Sequence, residues 1–163
     1  MKLQELIGHA NLDMSVAHIK AFFLGVLTAE KPLHFAKAVE EMMSETPEAT
    51  KELEPELKKL WDELVTNKPA ELQKMFPASS DLKEFLTNAK DQLDFYLTAL
   101  SLSGTNTETC KNEDVADLID ELEDTVMELD EYLSEDKPDE AEGEEIKELL
   151  LEAWQDYLRT SSN

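Results

Sequence analysis

Three histidines, one cysteine and a dense run of carboxylates are the residues of this 163-residue chain whose chemistry could do more than fold it. His9, His18 and His34 are each able to serve as ligand or base. No two of them stand four apart, the spacing that sets two imidazoles on one helix face around zinc, and Glu5 four before His9 is a common accidental pair. Cys110 has no second cysteine for a disulfide or a thiolate site, and its loop, "GTNTETCKN", is polar and acidic, a setting that blunts a thiol nucleophile. Gly-rich phosphate loops and G-x-S-x-G elbows are missing. Carboxylates are abundant, but none is singled out by an apolar, convergent setting as one half of an acid–base pair. The chain therefore reads as non-catalytic, with no metal site and no cofactor.

The carboxylates themselves are patterned. Residues 108 to 148 carry 19 acids against Lys111, Lys137 and Lys147, so this segment holds −16 of the net charge of −23. Between 113 and 133 the apolar residues Val115, Leu118, Ile119, Leu122, Val126, Leu129 and Leu133 fall on one narrow stripe at about 100° per residue. Glu113, Asp117, Asp120, Asp124, Glu128 and Glu131 fall opposite. A disordered acidic tail has no reason to keep that division, so the segment predicts an amphipathic helix whose six acids form a candidate partner-binding ridge. Like charges along one ridge repel at i,i+4 spacing with few bases to relieve them, a density that solubility alone does not require. An EF-hand register is absent: from Asp120 the third residue is Leu122, and from Asp136 it is Pro138. "SEDKPDEAEG" has lost the period, and its Pro138 and Gly143 predict an acidic loop at about 134–143.

Such a field repels phosphate backbones and anionic lipid, which disfavours direct nucleic-acid or membrane binding and leaves basic or amphipathic proteins as partners, with a homodimer possible. The longest strongly apolar run, "AFFLGVLTA", is too short to span a bilayer, and the first residues lack the apolar core of a signal peptide, so a cytoplasmic location is expected.

The elements that must position these residues are helical throughout. Scarce Gly and β-branched residues against abundant Leu, Glu, Lys and Ala favour an all-α fold, a multihelical single domain over 1–163 with six to eight helices around one core. A buried helix is expected over 16–29, with Val16, Ile19, Phe22, Phe23, Val26 and Leu27 at helical spacing, and a second from about 33, with Pro32 just before or inside its first turn. Thr46 and Pro47 suit a helix start, and Pro55 is expected to interrupt that helix. "NKPAELQKMFP" reads as a short helix between prolines. The long regular pattern Leu82 to Leu100, closed by Gly104, marks the central helix. Asn112 is placed to cap the acidic helix. A last helix carries Ile146, Leu149, Leu150, Ala153, Trp154, Tyr157 and Leu158. Trp61, Trp154, Phe22, Phe23 and the Met42–Met43 pair are tempting as a binding groove, but core packing explains them better.

Ala21, Gly25 and Ala29 recur every fourth place in "KAFFLGVLTA", a flat strip that predicts close helix packing. That strip resembles the opening helix of the YecA/YgfB-like family of small bacterial helical proteins, of the form H-G-L-x-x-G-L-x-x-G, with Lys20 at the histidine, Ala21 and Ala29 at the outer glycines and Gly25 retained. "QLDFYLTALSLSG" is similar to the family's mid-chain segment, and the order "ADLIDEL", acidic loop, "IKELLLEAWQDYL" matches its C-terminal half. The resemblance implies a multihelical fold and no catalytic activity; the cysteine-rich zinc module that some longer members append has no counterpart in a chain with one Cys. Together these readings point to a non-enzymatic bacterial interaction module that meets its partner through the acidic ridge. The alternatives are a nucleic-acid mimic occupying a DNA- or RNA-binding protein, and a hydrolase, which requires a deep pocket of converging carboxylates or His18 beside an acid.

Overall fold

The computed structural model describes residues 2–161, and among them every regular element is a helix. Seven α-helices form one compact all-α domain: α1 (Leu3–His9), α2 (Val16–Thr28), α3 (Phe35–Met42), α4 (Thr50–Gln73), α5 (Leu82–Leu102), α6 (Glu113–Leu133) and α7 (Glu140–Ser161), with a 3-10 turn at Pro47–Ala49.

Local chemistry sets the boundaries. Ser15 and His18 form a reciprocal cap at the start of α2: the Ser15 hydroxyl accepts from the His18 N–H at 3.2 Å, and His18 Nδ1 accepts from the Ser15 N–H at 3.1 Å. Asp81 caps α5 through the Glu84 N–H, and Asn112 caps α6 through the Asp114 and Val115 N–H groups. Gly104, at φ 86°, closes α5 in the left-handed region.

One proline reading is corrected. Pro55 does not interrupt α4, which runs through it beside the exposed Lys51, whose carbonyl can turn to water. The break falls at Asn67 (φ −113°, ψ 22°), two residues before Pro69, whose ring crowds the preceding turn and whose nitrogen donates no bond.

α5 is the central helix, packed by α2, α6 and α7. α2 is buried from Ala21 through Val26, so it has core neighbours on almost every side. Where α2 meets α5 the two backbones nearly touch. A Cβ built on Gly25 would run into the Tyr96 carbonyl oxygen and stand 2.8 Å from Ala99 Cβ, which is the close packing the small-residue strip predicts. The second pair, α6 and α7, also closes on a glycine. Gly143 is not in the acidic loop but inside α7, where a Cβ would stand 2.7 Å from Tyr132 Cζ and 3.0 Å from Leu82 Cδ2. The Tyr132 hydroxyl donates to the Asp139 carbonyl at 2.9 Å, pinning the short connection before α7.

The aromatic residues sort into two core groups. Phe23, Phe35 and Trp61 meet edge to face on one side; on the other Phe76 and Tyr96 meet Trp154 edge to face, as Tyr96 does Tyr157, while Trp154 and Tyr157 stack. Leu149, expected on the core side of α7, is 55% exposed.

Candidate functional site

Glu113, Asp117, Asp120, Asp124, Glu128 and Glu131 all lie on the exposed side of α6. From first to last they span about 27 Å of helix rise. None forms an ion pair with a described residue. The one α6 carboxylate that does is Asp130, which holds Lys90 Nζ at 2.9 Å and thereby raises the lysine's pKa. Glu123, on the same helix, is pushed up by partial burial and then by Asp120 and Asp124. The ridge is thus an exposed, like-charged strip able to attract a cationic surface over distance.

His18 does stand beside an acid, the feature the hydrolase reading required. Its Nε2 lies 3.8 Å from Asp91 Oδ2, its ring stacks on Phe95 at 4.8 Å, and its Nδ1 is occupied by the Ser15 N–H. The imidazole closes a helix cap and braces Phe95. Cys110 is half-buried and donates weakly to the Asn112 carbonyl at 3.5 Å. Among the described residues no group of three or more His, Cys, Asp or Glu is arranged to hold a metal, and no helix is long and apolar enough to cross a membrane.

Sequence reasoning missed a groove of about 470 Å³ beside Phe95. Leu12 and Met14 from the α1–α2 loop, Met42 at the end of α3 and Phe95 on α5 wall it over the buried Phe22. Asp13, Glu45 and Asp94, one from each of those segments, stand at its rim. Met42 and Phe22 belonged to the set read as core; Met43, Phe23, Trp61 and Trp154 are core, whereas Met42 is half-buried and faces this groove. A second cavity of about 610 Å³ lies between the ends of α2, α4 and α7, with Leu72 and Leu158 in its wall and Lys68 and Arg159 beside them, the arginine held to Asp156 at 2.7 Å.

The fold and these surfaces define a compact helical domain whose polar groups cap, brace and repel. Residues 1–104 match the family model described as Carboxypeptidase Y pro-peptide, and the chain belongs to that family. The match runs from the start of α1 to Gly104, so it takes in α1 to α5, while α6, α7 and the acidic ridge lie beyond it. No curated protein and no solved structure matches the chain.

This membership overturns the YecA/YgfB-like resemblance and the bacterial setting that came with it. The resemblance rested on the Ala21, Gly25 and Ala29 strip, the segment "QLDFYLTALSLSG" and the order of the C-terminal half; at Gly25 the close α2–α5 approach accounts for the small residue as packing. The readings as a bacterial interaction module, a nucleic-acid mimic and a hydrolase fall with it. The family is named for the pro-peptide of a peptidase and not for its catalytic domain.

Proposed function

We propose that this chain works by binding a carboxypeptidase of the carboxypeptidase Y type, as a folded pro-peptide domain that shields the enzyme, and that it carries out no chemistry of its own. The observation that carries this reading is the family match, which covers the whole α1–α5 scaffold, including the groove beside Phe95. The side-chain geometry agrees with a binding role. The carboxylates of α6 are exposed, and His18, the histidine beside an acid, is tied into a helix cap.

With a net charge of −23, the chain favours a basic face on its partner, and the α6 ridge supplies long-range attraction. Mature carboxypeptidase Y titrated with the chain should lose peptide hydrolysis in a saturable way. Changing Asp117, Asp120, Asp124 and Glu128 to their amides should slow association, more so at low salt, because exposed charges are screened within about 8 Å at physiological ionic strength. Unchanged hydrolysis with no heat of binding by calorimetry would overturn the reading.

A further inference from the structure

We propose that the groove beside Phe95 is the seat for a basic amphipathic segment of the partner, which inserts an apolar side chain and sets a lysine or arginine against Asp13, Glu45 and Asp94. It rests on the pro-peptide reading only in that the partner is a protein.

Two chemistries meet at this place. The wall is apolar and incompletely covered: Leu12, Met14, Met42 and Phe95 all remain half-exposed over a buried Phe22. Two of the four are methionines, whose flexible thioether side chains adapt to a varied guest. The volume of about 470 Å³ accommodates one or two large side chains of a docked segment.

The rim is anionic, and the base that acts on it, Lys90 on Asp94, is already held by Asp130. Several lysines elsewhere are held by neighbouring acids, among them Lys20 by Glu71, Lys37 by Glu40 and Glu41, and Lys58 by Asp62. Asp13, Glu45 and Asp94 are exposed and form no ion pair with a described residue, although they come from three separate segments. Charge complementarity therefore specifies a cationic guest, and the apolar wall specifies one with a hydrophobic side.

The seat is also held in shape before anything binds. The Leu12 N–H donates to the Ile7 carbonyl at 3.2 Å, the reciprocal Ser15–His18 cap fixes the far end of the loop, and the His18 ring lies nearly parallel to Phe95, at 7°. A preformed site loses less freedom on binding. The α6 ridge has more charge, but its large exposed apolar residue is Met127 alone, so it can attract a basic segment without seating one.

The test uses the isotopically labelled full chain and, as probe, a synthetic amphipathic leucine–lysine peptide. Amide shifts should concentrate at Leu12, Asp13, Met14 and Thr98. The triple change Asp13→Asn, Glu45→Gln, Asp94→Asn should weaken the peptide about tenfold, as three exposed ion pairs of ordinary strength predict. Met14→Lys, at a half-exposed loop position, should abolish groove shifts while leaving the helical circular dichroism unchanged. Shifts confined to residues 113–133, or a triple variant that binds as the natural chain does, would overturn the proposal. A parallel titration with mature carboxypeptidase Y separates the two readings. If the enzyme binds the natural chain and Met14→Lys equally, the groove is wrong and the pro-peptide role stands. If the enzyme binds neither while the peptide fills the groove, the role is wrong and the seat stands.

Discussion

Two helix pairs of this molecule each close on one glycine, and they do so in different ways. At α2–α5, Gly25 faces atoms fixed by the partner helix's backbone, the Tyr96 carbonyl oxygen and Ala99 Cβ, neither of which can move without shifting a helix. At α6–α7, Gly143 faces the tip of the Tyr132 side chain and a leucine methyl. The first pair lies between buried surfaces, whereas α6 has a wet, acidic outer side. Close approach thus arises either from backbone against backbone, which is rigid, or from backbone against a side-chain end, which can give.

That difference sets the order of expected effects. Gly25→Leu should lower stability by about 3 kcal/mol or more, because the overpacking falls on main chain. For a chain of this size that is a fall in Tm on the order of 10 °C, read by thermal circular dichroism. An unchanged Tm would mean that α2 and α5 are not in contact as described. Gly143→Ala meets a softer obstacle and gains helix propensity, so a loss of about 1 kcal/mol is expected. Here a neighbour can rescue: in Gly143→Ala with Tyr132→Phe, removing the phenol oxygen should make the double change less destabilising than the sum of the singles. No side-chain change at Tyr96 should rescue Gly25→Leu in that way.

The α2–α5 seam also carries a buried relay. The Thr28 hydroxyl lies 2.9 Å from the Leu24 carbonyl, which can only accept, so Thr28 donates there. Tyr96 Oη, 2.6 Å from Thr28 Oγ1, must then donate to Thr28, and Tyr157 Oη, 2.6 Å further on, donates to Tyr96. With the direction settled, Tyr96→Phe strands the Tyr157 proton and should cost about 2 kcal/mol, while Tyr157→Phe removes only the first donor and should cost about 1 kcal/mol. Burial raises the pKa of Tyr96 well above the ordinary phenol value and raises Tyr157; desolvation raises Tyr132 as well. A raised folded value means the folded state holds the proton more tightly. The stability it contributes is full below the unfolded phenol value of about 10 and is lost as pH rises through the folded values. Absorbance of the Tyr96 and Tyr157 phenolates should therefore appear together with loss of helix, and ionisation of either one while the helices persisted would break the relay.

The first seam was legible in the sequence because Ala21, Gly25 and Ala29 repeat at the helical interval inside an apolar run. The second was not. Gly143 sits beside Pro138 in an acidic stretch, and local composition there favours a loop; only the tertiary approach of Tyr132 makes it a helical packing position. Pro55 misled for a related reason, since an exposed helix can leave one carbonyl to water. The six ridge acids and the Asn112 cap could be read directly from period and side-chain chemistry. The groove beside Phe95 had no such signal, because its members come from four segments brought together by the fold, and each reads as an ordinary core or loop residue alone.

The smallest effect tests the outer side of α6. Asp120 and Asp124, and Asp124 and Glu128, stand four apart with no base between them, and each like-charged pair of this kind costs about 0.2–0.5 kcal/mol at low salt. Changing Asp117, Asp120, Asp124 and Glu128 to amides should therefore raise Tm slightly at low salt and do less at high salt. Acid should act in the same direction. The pKa of Glu123 is raised, first by burial and then by Asp120 and Asp124, so the folded state binds its proton more tightly than the unfolded chain does. Stability from this group is present at low pH and lost as pH rises through its folded value, so mild acidification and Glu123→Gln should both help. A fall in Tm on forming the amides would show that the ridge acids hold α6 against its neighbours, and the contrast between a rigid buried seam and a loosely held acidic helix would then have to be drawn the other way.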